Sequence, residues 1–160
     1  MAGSAQAQKL ADRFNQLNTH VIAFVEPLTA EQWGMPCGDD HRPIGVVAHH
    51  VATAYGAFAS WVTTMAKGKP VSVTMAVIDD LNAQHAEANA GVSKADTLAL
   101  LRRNGDAAAA VVSNLSDEEL ARSGSVALLG ATLTTTQFIQ RLLMGHTVGH
   151  LQAMRAAVGG

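Results

Sequence analysis

The stretch Gly145-His-Thr-Val-Gly-His150 is the part of the sequence from which both the fold and the chemistry of this chain are predicted. Its two histidines, His146 and His150, are four residues apart within a helical pattern of apolar residues. Because four residues make slightly more than one helical turn, the two imidazoles point to the same side of the helix. Two neutral imidazoles so placed can bind one divalent metal ion, and a nitrogen from another helix would complete a site with an open position.

A glycine precedes each of these two histidines, at Gly145 and Gly149. A glycine inside a helix costs about 1 kcal/mol relative to alanine, so two of them in one turn indicate a local requirement. We expect that a neighbouring helix or a ligand comes close to the backbone at these two positions.

The histidine pair has a simpler alternative interpretation. Seven histidines among 160 residues would give roughly 0.3 pairs at this spacing by chance, and two such histidines can be hydrogen-bonded on a seam between helices. Sharper motifs are excluded. Thr147 follows His146, so the glutamate of the His-Glu-x-x-His peptidases is missing. No Glu-x-x-His pair occurs, which disfavours a ferritin-like di-iron bundle. Nucleotide-binding loops, nucleophile elbows and Cys-His knuckles are absent from the sequence as well.

A third metal ligand is predicted on an earlier helix, over residues 43–67. His49 and His50 are adjacent there and point about 100° apart, so only one of them faces the bundle interior. The apolar stripe of the helix favours His50. His49 falls on a second, uncharged and weakly polar stripe, which we interpret as a dimer surface. His20 and His85 lie on predicted helices without local partners, and we expect structural roles for both.

Helical periodicity dominates the chain, and strand patterns are nearly absent. The four long helices are predicted over residues 4–25, 43–67, 93–114 and 134–158. Capping-box pairs are predicted at Thr29 with Gln32, Ser116 with Glu119, and Thr134 with Gln137. A shorter helix is expected over 75–90, and 124–133 is a linker with some β character. We therefore predict an all-α four-helix bundle with short additional helices between the long ones, forming one domain over residues 1–160.

Composition excludes several classes of partner. Hydrophobic residues make up 48% of the chain and charged residues 15%, which is typical of a globular protein. The net charge is −2 and basic residues are scattered, so we expect no nucleic-acid partner. Residues 46–66 carry no charge but are too polar for a membrane span. Cys37 is the single cysteine, which fits a reducing compartment, and we expect a cytoplasmic protein that acts on a small molecule.

The order of these motifs resembles the DinB/YfiT-like metal-binding four-helix bundles. That superfamily includes the N-terminal domain of mycothiol-dependent maleylpyruvate isomerase and the bacillithiol S-transferases. The resemblance is carried by Trp33, a loop, and then Pro43-Ile-Gly-Val-Val-Ala-His-His50-Val51 at a helix start. It is carried again by His146-Thr-Val-Gly-His150-Leu-Gln-Ala-Met-Arg155 on the last helix.

The resemblance implies that His50, His146 and His150 bind a divalent metal ion, usually zinc or nickel. It also implies a low-molecular-weight thiol as cosubstrate, with a metal-bound thiol or water as the reacting group. The leading hypothesis is therefore a metal-dependent thiol S-transferase or isomerase, for which the sequence identifies no general base. One alternative is a non-catalytic metal- or small-ligand-binding protein that acts as a sensor or stress protein. Another is a purely structural homodimer whose histidines belong to the core.

Overall fold

The computed structural model describes residues 2–159, which form an all-α fold with two short hairpins. The helices are α1 (Ala5–Val25), α2 (Ala30–Trp33), α3 (Ile44–Ala66), α4 (Met75–Ala88), α5 (Lys94–Ser113), α6 (Asp117–Ala121), α7 (Thr135–Phe138) and α8 (Gly145–Gly159). Antiparallel pairs join β1 (Pro36–Cys37) to β2 (Arg42–Pro43) and β3 (Ser123–Val126) to β4 (Ala131–Thr134). The fold class is as predicted, with short helices between the long ones.

Side-chain caps set the starts of most helices. All three predicted capping boxes are confirmed. In each, the Ser or Thr side chain accepts a hydrogen bond from the backbone N–H three residues later, and the Gln or Glu side chain at that position accepts one from the backbone N–H of the Ser or Thr. Ser4, Thr74 and Ser93 cap α1, α4 and α5 in the simpler way, by accepting one backbone N–H. Each cap satisfies a donor that a helix start would otherwise leave free.

The core lies where α1, α3 and α5 meet. Phe14 and Tyr55 pack edge to face there, with ring centroids 5.0 Å apart, and both are fully buried. The side chain of Asn18 links all three helices. Its Nδ2 donates to the carbonyl of Leu101 at 3.0 Å, and its Oδ1 accepts from the Tyr55 hydroxyl at 3.0 Å. Gly105 of α5 leaves no room for a Cβ beside this amide, so a glycine is required by a close approach here.

The last predicted helix is interrupted. Residues 134–158 read as one continuous helix, but α7 is followed by a π-helix over Ile139–Met144 before α8 begins at Gly145. A π-helical turn inserts an extra residue into an α-helix and is frequently found at functional sites. Hydrophobic periodicity does not detect the π-helix, because the apolar residues before and after it still recur at about the helical period. The linker over 124–133 is also more ordered than predicted, since it forms most of the hairpin of β3 and β4.

The helix α4 is packed very differently from the others. It contains no buried side chain, and Met75, Val77 and Leu81 are each about half exposed. It lies across the side of α3 that faces away from α1 and α5, and it leaves open space beneath it. None of the described helices is both long enough and apolar enough to cross a membrane.

Candidate metal centre

Three histidines from two helices converge at one point. His50 extends from α3, and His146 and His150 extend from the first turns of α8. The Nε2 atom of His146 lies 2.9 Å from Nε2 of His50 and 3.2 Å from Nε2 of His150. The structure thus brings together the three residues that the sequence singled out as ligands, and they form a group able to hold a metal ion.

The donor set fits a metal ion better than a hydrogen-bonded seam. Two ring nitrogens bound to one zinc ion at about 2.0–2.1 Å lie roughly 3.0–3.5 Å apart, close to the observed distances. Without a metal, Nε2 of His146 carries either one proton or one lone pair. It can therefore make a hydrogen bond with only one of its two neighbours. One cation would accept all three lone pairs.

The hydrogen-bond environment of the other ring nitrogen of His146 is different. Its Nδ1 is buried and has no hydrogen-bond partner in the part of the chain that the structure describes. Metal-bound histidines usually donate this N–H to a carboxylate or a carbonyl, which fixes the ring. Here the ring packs edge to face on Phe58, with centroids 5.0 Å apart. Its orientation therefore depends on packing.

All three rings are held in the neutral form. Burial, reinforced by the other histidines and by Arg42, lowers the pKa of His50 to about 3. Burial and the two neighbouring histidines lower the pKa of His146 to about 3. Burial and then Arg42 also lower the pKa of His150. Neutral imidazole is the form that binds metals, so the site is prepared for a cation at neutral pH.

The histidine cluster lies between two cavities and lines both of them. The first, of about 440 Å³, lies between the β1–β2 hairpin and α8, and we call it the loop cavity. Cys37, Asp40 and Arg42 line it, together with Gly145 and Gly149. The second, of about 550 Å³, lies beneath α4 and is walled mainly by apolar side chains. We call it the α4 cavity. A bound ion would be reachable from both.

The two glycines of α8 do not pack against another helix, which was one of the two expectations. A Cβ at Gly149 would meet nothing within 4 Å, and one at Gly145 would meet only the Gln140 carbonyl oxygen, at 3.6 Å. The second expectation, that they make room for a ligand, is consistent with their position on the loop cavity. Sequence spacing identified the positions but carried no information on the distance to neighbouring elements.

A second histidine pair adjoins the cluster, and sequence reasoning missed it. Nδ1 of His49 lies 2.8 Å from Nε2 of His85, and the two rings are stacked. His85 has no partner nearby in the sequence, as expected, but it has this distant one, and it lines the α4 cavity together with the three histidines. No local signal could have revealed the pair, because the two residues are 36 positions apart and α4 had no predicted place in the bundle.

A family model described as the DinB superfamily matches residues 9–154. This range runs from most of α1 to most of α8 and includes all three histidines of the cluster. No curated protein and no solved structure matches the chain.

Proposed function

The chain belongs to the DinB superfamily, and from this membership and its three-histidine cluster we propose that it is a divalent-metal-dependent enzyme. The proposed reaction is the transfer of a thiol sulfur to a small electrophile, or an isomerisation assisted by such a thiol. The observation that carries the proposal is the convergence of three neutral Nε2 atoms within 4.8 Å of one another, at a point open to two cavities.

In this proposal His50, His146 and His150 hold the metal ion, for which zinc and nickel are the candidates. When bound, the ion supplies a positive charge that lowers the pKa of a thiol or water beside it and so makes a nucleophile available at neutral pH. The chain itself contributes the shape of the site. Burial of the three rings keeps them neutral, and Phe58 packs edge to face against the ring of His146.

A polar pair stands at the junction of the two cavities. Arg42 Nη2 lies 3.3 Å from Asp40 Oδ2, and both residues line the loop cavity and the α4 cavity. The Asp40 side chain is 72% exposed and that of Arg42 only 25%. We assign to Arg42 the binding and orientation of an anionic group on the incoming thiol, since its guanidinium presents several donors in a fixed plane.

The second candidate is a non-catalytic metal- or small-ligand-binding protein, such as a sensor. A specific observation favours it. The acidic side chains that line the loop cavity, Asp39 and Asp40, belong to an exposed loop, and Asp40 is paired with Arg42. A general base needs a fixed position near the reacting atom. Exposed carboxylates on this loop do not have one.

Metal content tests the proposal first. Protein purified without a histidine tag should contain about one zinc or nickel ion per chain by inductively coupled plasma mass spectrometry. The substitution His150→Ala removes one of three ligands and should lower the metal content at least tenfold. His20→Ala, which changes an exposed histidine on α1, is the control and should leave it unchanged. Metal-free wild-type protein, even after incubation with both ions, would contradict the metal assignment.

Turnover separates the enzyme from the binding protein. Metal-loaded protein is incubated with monochlorobimane and with mycothiol, bacillithiol or glutathione in turn, and the fluorescent thioether is measured. Turnover with one thiol that is lost in His150→Ala supports the enzyme. Stoichiometric metal with no turnover for any of the three thiols favours the second candidate.

We also propose a homodimer. The uncharged stripe of α3 that is not covered by α4 remains exposed at Gly56, Ser60 and Thr63. Small residues of this kind let two helices approach closely. Light scattering at micromolar concentration should give about twice the chain mass of 16.7 kDa, and a monomer at that concentration contradicts the proposal.

A further inference from the structure

The α4 cavity has the size and walls of a small-molecule site. Its volume of about 550 Å³ falls within the range of roughly 300–1,000 Å³ that ligand pockets occupy. The apolar side chains that wall it come from α3, α4 and the π-helix, and include Ala54, Phe58, Trp61, Ile78, Leu81 and Leu142. The three histidines line it as well. A molecule that fills this cavity therefore reaches the metal centre.

The outer wall of the cavity is apolar and is not used to stabilise the fold. Leu81 of α4 lines the cavity and is 51% exposed, and Met75 lines it and is 48% exposed. No side chain of α4 is buried, so this helix contributes little to the core. An apolar occupant would cover the inner surface of α4 and remove it from water, which is favourable in proportion to the area covered.

A cationic side chain, that of Arg141, lines this apolar cavity. Arg141 belongs to the π-helix, lines the α4 cavity and makes no ion pair with any residue from 2 to 159. Its helix is the irregular segment that precedes the metal-binding turns of α8. An unpaired guanidinium beside apolar walls selects for a ligand that combines an apolar body with an anionic group.

We propose that the α4 cavity binds a small organic anion with an aromatic or branched alkyl body, and that this molecule is the electrophilic substrate. Its apolar body lies between Phe58 and Leu81, and its anionic group is bound by Arg141. The identification as substrate rests on the proposed function, because it requires the reacting end to meet the histidine cluster. The binding itself depends only on the cavity and does not require the metal ion.

Two fluorescent probes test the binding in metal-free and metal-loaded protein. Anilinonaphthalenesulfonate combines an aromatic body with an anion, and phenylnaphthylamine has the same body without the anion. The chain offers a matched pair of variants on one helix. Leu81 and Val77 are 51% and 48% exposed, but only Leu81 lines the cavity. We expect Leu81→Ser to weaken the binding of both probes about tenfold and Val77→Ser less than about twofold.

The role of Arg141 is tested by the difference between the probes. Arg141→Gln should weaken the binding of anilinonaphthalenesulfonate about fivefold, since it removes one charge-assisted contact. It should leave the binding of phenylnaphthylamine unchanged. An equal loss for both probes, or no loss for either, overturns the assignment of the anionic group to Arg141.

The remaining outcomes separate this inference from the proposed function. Equal effects of Leu81→Ser and Val77→Ser, or no probe binding in protein with normal metal content, overturn the cavity and leave the metal centre standing. Probe binding in a chain that takes up no metal contradicts the proposed function and supports the cavity. If Leu81→Ser dissociates a dimer in light scattering, a second copy of the chain occupies the cavity and the inference is overturned.

Discussion

The two sides of α3 differ in packing, because one is closed and the other is open. The side that faces α1 and α5 is closed, with Ala48, Val51, Ala52 and Tyr55 fully buried. Its polar groups are also paired, since the Ala52 carbonyl accepts from a side-chain amide of α5 and the Tyr55 hydroxyl donates to one on α1. The side that faces α4 and α8 is open. Its histidines are partly buried, and two cavities adjoin it. His85, which stacks on His49, has an Nδ1 atom without a hydrogen-bond partner among residues 2–159.

This difference indicates that stability and chemistry are carried by separate surfaces of one helix. Each large side chain that is fully buried contributes about 1.5–3 kcal/mol, and Phe14, Tyr55 and Leu101 are such residues on the closed side. Side chains at a cavity wall forgo part of that contribution because one side of them has no packing partner. Substitutions on the closed side should therefore unfold the protein, and those on the open side should alter binding at nearly constant stability.

The largest effect is expected from truncation on the closed side. Phe14→Ala removes a fully buried ring that packs on Tyr55 and should lower the free energy of unfolding by roughly 3–5 kcal/mol. Leu81→Ala, on the α4 cavity, should lower it by less than about 1 kcal/mol because the side chain is already half exposed. Urea denaturation monitored by circular dichroism measures both. Similar losses for the two variants would show that α4 belongs to the core.

The next effect comes from acid and concerns the open side. In metal-free protein the pKa values of His50 and His146 are about 3 in the folded state, below the ordinary value near 6.5. Between pH 3 and pH 6.5 the unfolded chain binds more protons than the folded chain. The stability that the two neutral histidines contribute is therefore fully present above about pH 6.5 and is lost as the pH falls towards 3. Each histidine changes stability by about 1.4 kcal/mol per pH unit within this window. For these two residues together we expect a loss of about 4 kcal/mol between pH 7.5 and 5.

Urea denaturation in the presence of a chelator, repeated across this pH range, measures the loss. His146→Gln removes one of the rings whose pKa is lowered and should reduce the pH dependence by up to about half, because the lowered pKa of His150 also contributes to it. An unchanged pH dependence in this variant would mean that other groups cause it.

A smaller effect is expected where the closed side is tightest. A Cβ at Gly105 would overlap the amide of Asn18, which cannot turn away without breaking its bonds to Leu101 and Tyr55. Gly105→Ala should therefore destabilise the protein by about 2 kcal/mol, although alanine is the better helix former. The double variant Asn18→Ala with Gly105→Ala should be less destabilised than the sum of the two single variants. Additive losses would contradict the overlap.

Much of the closed side could be predicted from the sequence. Its helices follow from apolar periodicity, and their starts follow from Ser and Thr caps, because both signals are local. The convergence of His50, His146 and His150 was also predicted, since two share a helical face and the third lies beside the apolar stripe of its helix. The remainder depends on distances between elements that no local pattern encodes. The π-helix over Ile139–Met144, the pairing of His49 with His85 and the open space beside Gly149 are of this kind.

The smallest change in stability is expected at Gly149 and Gly56, two glycines that lie within helices. Gly149 on α8 and Gly56 on α3 both have nothing within 4 Å of an added Cβ, but only Gly149 lines the loop cavity. Alanine at either position should therefore stabilise the helix by up to about 1 kcal/mol. Gly149→Ala also places a methyl group beside His150, where the incoming thiol is proposed to approach. We expect it to lower thiol turnover with monochlorobimane about tenfold at unchanged metal content, whereas Gly56→Ala keeps full turnover. If both variants gain stability and keep full turnover, the glycine before His150 is not needed for access to the metal, and the thiol must reach it by way of the α4 cavity.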